Sequence, residues 1–123
     1  MTIRFETLTP TQLDEALASA KPPTLVDVRT LDAYVAGHVP GSTHVPVYEL
    51  GARRAELPTS TAQRVVVIGD HRKRAQAGAT FLALIGFGDV SVLEGGIAAY
   101  EGEIEAGPPP PPPSHGPQLR IVD

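Results

Sequence analysis

The chain has 123 residues, enough for one domain around one hydrophobic core and too few for two of ordinary size. Hydrophobic residues make up 41% and charged residues 20%, which excludes an intrinsically disordered chain, and the formal net charge of −4 argues against a general attraction to nucleic acid or to an anionic membrane. There is no cysteine, which excludes disulfides, thiolate metal sites and every reaction that runs through a thiol.

Neither nucleic acid nor membrane is therefore expected as a partner. The opening residues Met1-Thr2-Ile3-Arg4-Phe5-Glu6 hold no apolar leader and no apolar run reaches spanning length, so the expected compartment is the cytoplasm.

In chain order, Thr9-Pro10-Thr11-Gln12 reads as a helix start, with Thr9 as N-cap, Pro10 at the first helical position and Gln12 closing a capping box. After Pro22-Pro23, residues 24–28 form a short apolar run that suits a strand buried on both faces, interrupted by Asp27. Thr30 caps a short helix over 31–36 that Gly37 stops, a turn follows at 38–41, and 44–46 suggests a brief strand. Another helix is expected over 48–56. Val65-Val66-Val67-Ile68 is the clearest buried strand in the chain.

From residue 72 to 85 the positions Gly78, Phe81, Leu82 and Ile85 follow helical spacing, and Gly86 stands where a C′ stop belongs. A strand over 89–93 and a last helix over 97–103, separated by Gly95-Gly96, complete the alternation. This pattern predicts an α/β domain of three layers, with a mainly parallel central sheet flanked by helices on both faces. Residues 1–104 are expected to form that domain, and 105–123 a proline-rich tail. The six prolines that begin at Pro108 favour a polyproline II spacer, or alternatively a ligand for an aromatic groove.

Three segments in order then carry a resemblance: Asp27-Val28-Arg29; Tyr34-Val35-Ala36-Gly37-His38-Val39-Pro40-Gly41-Ser42-Thr43-His44-Val45-Pro46; and Leu93-Glu94-Gly95-Gly96-Ile97-Ala98-Ala99-Tyr100. Together, over about residues 5–103, they resemble the rhodanese-like family. In that family the central strand runs into a six-residue loop that opens with the nucleophilic cysteine, and the loop's N–H groups converge on its sulfur. Matching the valine-rich strand and Arg74 to this pattern puts the loop at Gly69-Asp70-His71-Arg72-Lys73-Arg74. Gly69 then stands where the family has its cysteine.

Glycine has no side chain to attack a sulfur donor, carry a persulfide or attack a phosphate, so the resemblance implies a catalytically inactive member. A binding or regulatory module is the resulting expectation, with an unknown protein partner or a small oxyanion held at residues 69–75. His71, Arg72, Lys73 and Arg74 crowd positive charge at a helix N-terminus, where it opposes the macrodipole and a bound anion would relieve it. Asp70 offers the competing and favoured outcome, capping the helix itself and filling the cradle with its own carboxylate.

The alternative function is a non-thiol phosphoryl-transfer or hydrolytic enzyme using Asp70 or His71. A further reading makes the domain an anchor for the proline tail. Asp27 and Arg29 are expected as a structural ion pair, His38 as a tie to backbone rather than a metal ligand, His44 as a satisfied strand histidine, and Gly95-Gly96 as a turn packed near the loop. No cofactor and no metal is expected.

Overall fold

The computed structural model describes residues 5–110; the tail from residue 111 onward, and with it half of the proline run, lies outside the described residues. Five strands form one parallel sheet: β1 (Glu6–Leu8), β2 (Thr24–Asp27), β3 (Thr43–His44), β4 (Val65–Ile68) and β5 (Val90–Leu93), in the order β1-β5-β4-β2-β3. The helices are α1 (Pro10–Leu17), α2 (Leu31–Ala36) and α3 (Arg72–Leu84). The expected α/β architecture with a parallel sheet is what the chain adopts.

Alternation along β4 builds two cores. Val65 and Val67 face one cluster with Val26, Val90 and Val92 of the neighbouring strands and Val28 just after β2, and Ala75, Ala79 and Leu82 of α3 close over it. Val66 and Ile68 face the other, with Leu25, Leu93 and Leu13 of α1. A strand covered on both faces must be apolar at every position, which is why β4 reads as an unbroken aliphatic run. Gly78 lets α3 lie close against β2 and β4: a Cβ there would stand 3.1 Å from Val28 Cγ1 and 3.4 Å from Val67 Cγ1.

The helix ends follow their local chemistry. Thr9 Oγ1 accepts the Gln12 N–H (3.1 Å) and Gln12 Oε1 accepts the Thr9 N–H (2.9 Å), the reciprocal capping box. Thr9→Ala is expected to cost about 1 kcal/mol in chemical denaturation, because it uncovers a first-turn donor of α1. At the other end of α3, Gly86 adopts φ 112°, the Phe87 N–H reaches Leu82 O (3.1 Å) and the Gly86 N–H reaches Ala83 O (3.2 Å), closing a Schellman stop.

Three local expectations change. β1 escapes the sequence reading because only Leu8 of its three residues is buried, and the strand forms by pairing alongside β5 at the sheet edge. In place of one helix over 48–56 there are two 3-10 turns, Val47–Glu49 and Arg54–Glu56. Arg53 knits them, donating to Glu56 Oε2 (2.6 Å) and Oε1 (2.7 Å), to Glu49 Oε1 (3.4 Å) and to His44 O (2.8 Å). The bond to Glu56 leads the causes that push the Arg53 guanidinium further above its ordinary value.

The helix over 97–103 is likewise a single 3-10 turn, Ile97–Ala99. Tyr100 packs against the second core from an extended backbone at ψ 127°, so the chain leaves helical geometry there. It then returns across α2: the His38 N–H donates to Glu105 O and the Glu105 N–H to His38 O (both 2.9 Å), and the Gly107 N–H donates to Val35 O (3.0 Å). Among the described residues no helix is long and apolar enough to cross a membrane.

Candidate functional site

The central strand β4 ends at Ile68, and residues 69–71 carry the chain from its carboxyl end into α3. Carboxyl ends of parallel strands are where α/β sheets hold their ligands, because the loops there are free of the packing that fixes the layers. The Gly69 carbonyl accepts the Ile97 N–H (2.9 Å), tying the loop to the segment after β5. Gly95 and Gly96 both take positive φ, 78° and 63°, and a Cβ on Gly96 would run into the Gly69 carbonyl. The expected contact between the two glycine-bearing segments is therefore direct.

Gly69 is closed to a side chain. A Cβ built on it would stand 2.9 Å from Ala75 Cβ and 3.3 Å from both Ala75 N and His71 O. Carbon atoms in ordinary contact sit about 3.5–4.0 Å apart. The methyl group of Ala75 thus crowds the Cβ position of residue 69, and a side chain there would require a neighbour to shift.

Asp70 does not cap α3, contrary to the favoured expectation. The N-cap is His71, with φ −145° and ψ 162°, and its Nδ1 accepts the Arg74 N–H at 3.4 Å. Asp70 stands four positions before Arg74, and its carboxylate turns to that guanidinium, with Arg74 Nη1 to Asp70 Oδ2 at 2.7 Å. His71 Nε2 stands 3.7 Å from Asp70 Oδ1. The expected basic rim is divided accordingly: Arg74 and His71 face Asp70, while Arg72 and Lys73 are exposed at the first two helical positions. Their N–H groups precede the first intrahelical bond, as the opening donors of any helix do, and find no backbone acceptor among the described residues.

A cleft of about 460 Å³ opens beside this end of α3, between it and the β1–β5 edge. Its walls include His71, Arg72, Ala75 and Gln76 from the loop and helix, and Glu94 and Gly95 from the segment after β5. The volume suits a small ligand or a side chain of a partner. Phe5 and Thr7 form the third wall. They were invisible in the sequence because β1 itself was. Gln76, four residues after Arg72, shares its helix face and was open to discovery from spacing alone.

The remaining motif residues build the wall behind the loop. Asp27 is fully buried and Arg29 is 4% exposed. Arg29 Nη2 and Nε bond the Asp27 carboxylate (2.8 and 3.1 Å), and the Arg29 N–H donates to Asp27 Oδ1 at 3.0 Å. The other guanidinium hydrogens reach Gly37 O (2.7 Å) and Ala33 O (3.3 Å), so the pair also ends α2. His38 ties to the Tyr34 carbonyl through Nδ1 (2.8 Å), and His44 to the Arg29 carbonyl through Nε2 (2.9 Å). His44 is only half satisfied, since its buried Nδ1 has no partner among the described residues.

Tyr34, which opens the second motif segment but was given no role there, sits between the two imidazoles, stacked on His38 at 3.7 Å and on His44 at 4.6 Å. Burial raises its phenol above the ordinary value, which keeps it a neutral donor toward Ser42 O.

Comparison with known proteins agrees with this geometry. A family profile described as Rhodanese-like domain matches residues 9–103. The thiosulfate sulfurtransferase GlpE of Pseudomonas entomophila is 33% identical over 101 residues, covering 76% of this chain and 89% of that protein. A shorter stretch of 34 residues, 28% of this chain, is 56% identical to 15% of the HTH-type transcriptional regulator Rv0324 of Mycobacterium tuberculosis. Among solved structures, the Alr3790 protein from Anabaena sp. superposes with a TM-score of 0.73 at 27% identity, covering 80% of this chain and 82% of that one. Strand order, motif residues and profile point the same way: the chain belongs to the rhodanese-like domain family, as a variant that carries no cysteine.

Proposed function

We propose that this domain is a catalytically silent rhodanese-homology module that binds a partner protein or a small oxyanion at residues 69–75, in a binding or regulatory role. The observation that carries the reading is the filled space at Gly69, where Ala75 Cβ stands 2.9 Å from any Cβ. The nucleophile is absent, and a side chain at its position would require Ala75 to shift. What the loop retains is Arg72 and Lys73 at the opening of α3, beside a cleft of about 460 Å³. Asp70 is occupied by Arg74 and His71 serves as helix cap, which favours binding over phosphoryl transfer or hydrolysis by either residue. A regulatory setting is supported by the stretch shared with a protein named as a transcriptional regulator.

With thiosulfate and cyanide, the purified protein is expected to form thiocyanate no faster than a protein-free control, and Gly69→Cys is expected to stay at that baseline because Ala75 blocks the new side chain. Robust turnover by the unaltered chain would overturn the proposal. In an NMR titration with sulfate, Arg72→Ala is expected to weaken binding by about threefold, the scale of one exposed charge-assisted contact. Asp70→Ala is expected to strengthen it, because Arg74 is then released to the anion.

A further inference from the structure

The first histidine of the motif region, His38, does more than close a turn. Both ring nitrogens of His38 face oxygen atoms that can only accept: Nδ1 meets the Tyr34 carbonyl at 2.8 Å and Nε2 meets Glu105 Oε1 at 3.2 Å. A neutral imidazole has one N–H and can satisfy one of them. Only the imidazolium donates to both. The ring is 3% exposed, whereas the Glu105 side chain is 55% exposed, so the carboxylate is the partner free to leave.

Glu105 sits in the segment that returns the chain over α2. The same segment holds the two-way backbone bridge between His38 and Glu105 and the Gly107 N–H bond to Val35 O. Ile104 lies against Gly37, where a Cβ would stand 3.0 Å from Ile104 Cγ2. The proline run begins one residue after Gly107. Whatever holds Glu105 therefore sets where that run leaves the domain.

We propose that His38 and Glu105 form a protonation-dependent latch, closed by the imidazolium, that docks residues 104–107 on α2 and loosens when His38 becomes neutral. The charged surroundings are mixed. Arg29, bonded to the neighbouring Gly37 carbonyl, disfavours a second cation, but Asp27 already neutralises it. Tyr34 presents its ring face to His38 at 3.7 Å, which favours the cation, and His44 stacks on the opposite face of that ring. Glu105 supplies the counter-charge at the open side.

The test uses the full chain and two NMR readouts. Ring 15N shifts report the His38 protonation state, and hydrogen-exchange protection of the Glu105 and Gly107 amides, corrected for intrinsic exchange, reports docking. Protection is expected to fall about two- to fivefold as pH rises through the His38 titration, the scale of a half-exposed ion pair. Glu105→Gln keeps the backbone bridge and is expected to abolish this pH dependence while leaving the fold intact. Protection that ignores His38 ionisation, or that follows it equally in Glu105→Gln, would overturn the latch, as would a ring that stays neutral while the segment remains docked.

Discussion

Asp27→Ala is expected to destabilise the domain by about 3–5 kcal/mol, the penalty for leaving one member of a buried ion pair without its partner. The carboxylate is fully buried and takes three guanidinium contacts within 3.1 Å together with the Arg29 N–H. Removing it strands a cation that is 4% exposed and still bonded to the Gly37 and Ala33 carbonyls. Against total stabilities of about 5–15 kcal/mol this is a large fraction, and a fall in Tm of about 10–20 °C should accompany it. Arg29→Met alone leaves the carboxylate orphaned and should cost a similar amount. The double replacement Asp27→Leu with Arg29→Met should be much milder than the sum, because neither charge is left buried alone. A loss below about 1 kcal/mol for Asp27→Ala in urea denaturation would show that the pair does not hold α2 and β2 as described.

Gly96→Ala is the second large effect, expected at about 2–6 kcal/mol from two sources that add. Its φ of 63° and ψ of −160° lie in a region populated almost only by glycine, at a cost of about 1–3 kcal/mol for any other residue. The new Cβ also overlaps the Gly69 carbonyl, so the loop or the turn after β5 must move, with overpacking of about 1–3 kcal/mol. Gly88→Ala is the matching control, since nothing stands within 4 Å of its Cβ position and its φ is not positive. It should change stability by less than about 0.5 kcal/mol. Because the clash falls on Gly69, Gly96→Ala should also shift the amide signals of residues 69–75. Unchanged signals there would contradict the contact between the two glycine segments.

Both effects fall on residues that the sequence had already singled out, but for different reasons. Asp27 was conspicuous because a carboxylate inside an apolar run must find a partner, and Arg29 two residues later was within reach. Gly96 is conspicuous as half of a double glycine, expected in a turn packed near the loop, but the sequence does not say which atom it approaches. Only the structure shows that the requirement is the backbone of Gly69, some twenty-seven residues earlier in the chain. The expected cap of α3 was Asp70, and the structure gives that place to His71. Asp70 and His71 are both plausible caps by composition, and the choice between them turns on which residue first takes helical φ and ψ. That in turn depends on how β4 feeds the loop.

The failed helices have a shared cause. Residues 48–56 and 97–103 have permissible helical composition, but each is drawn toward contacts outside itself: Arg53 toward the His44 carbonyl and Tyr100 toward the second core. Short helices have little cooperative stability of their own, so such contacts decide their fate. The edge strand β1 was hidden for the converse reason. Its hydrogen bonds come from β5, more than eighty residues away, and its own side chains are mostly exposed.

The sequence by itself determined the α/β alternation, the buried aliphatic strand, the capped helices, the family resemblance and the absence of a thiol nucleophile, because periodicity, capping chemistry and composition are local or additive properties. The tertiary structure alone decided that Ala75 crowds the Cβ position of residue 69, that Asp70 pairs with Arg74 instead of capping, and that Glu105 reaches back to His38. Each of these is a competition among partners brought together by chain crossing, and its outcome depends on distances that no sequence separation encodes.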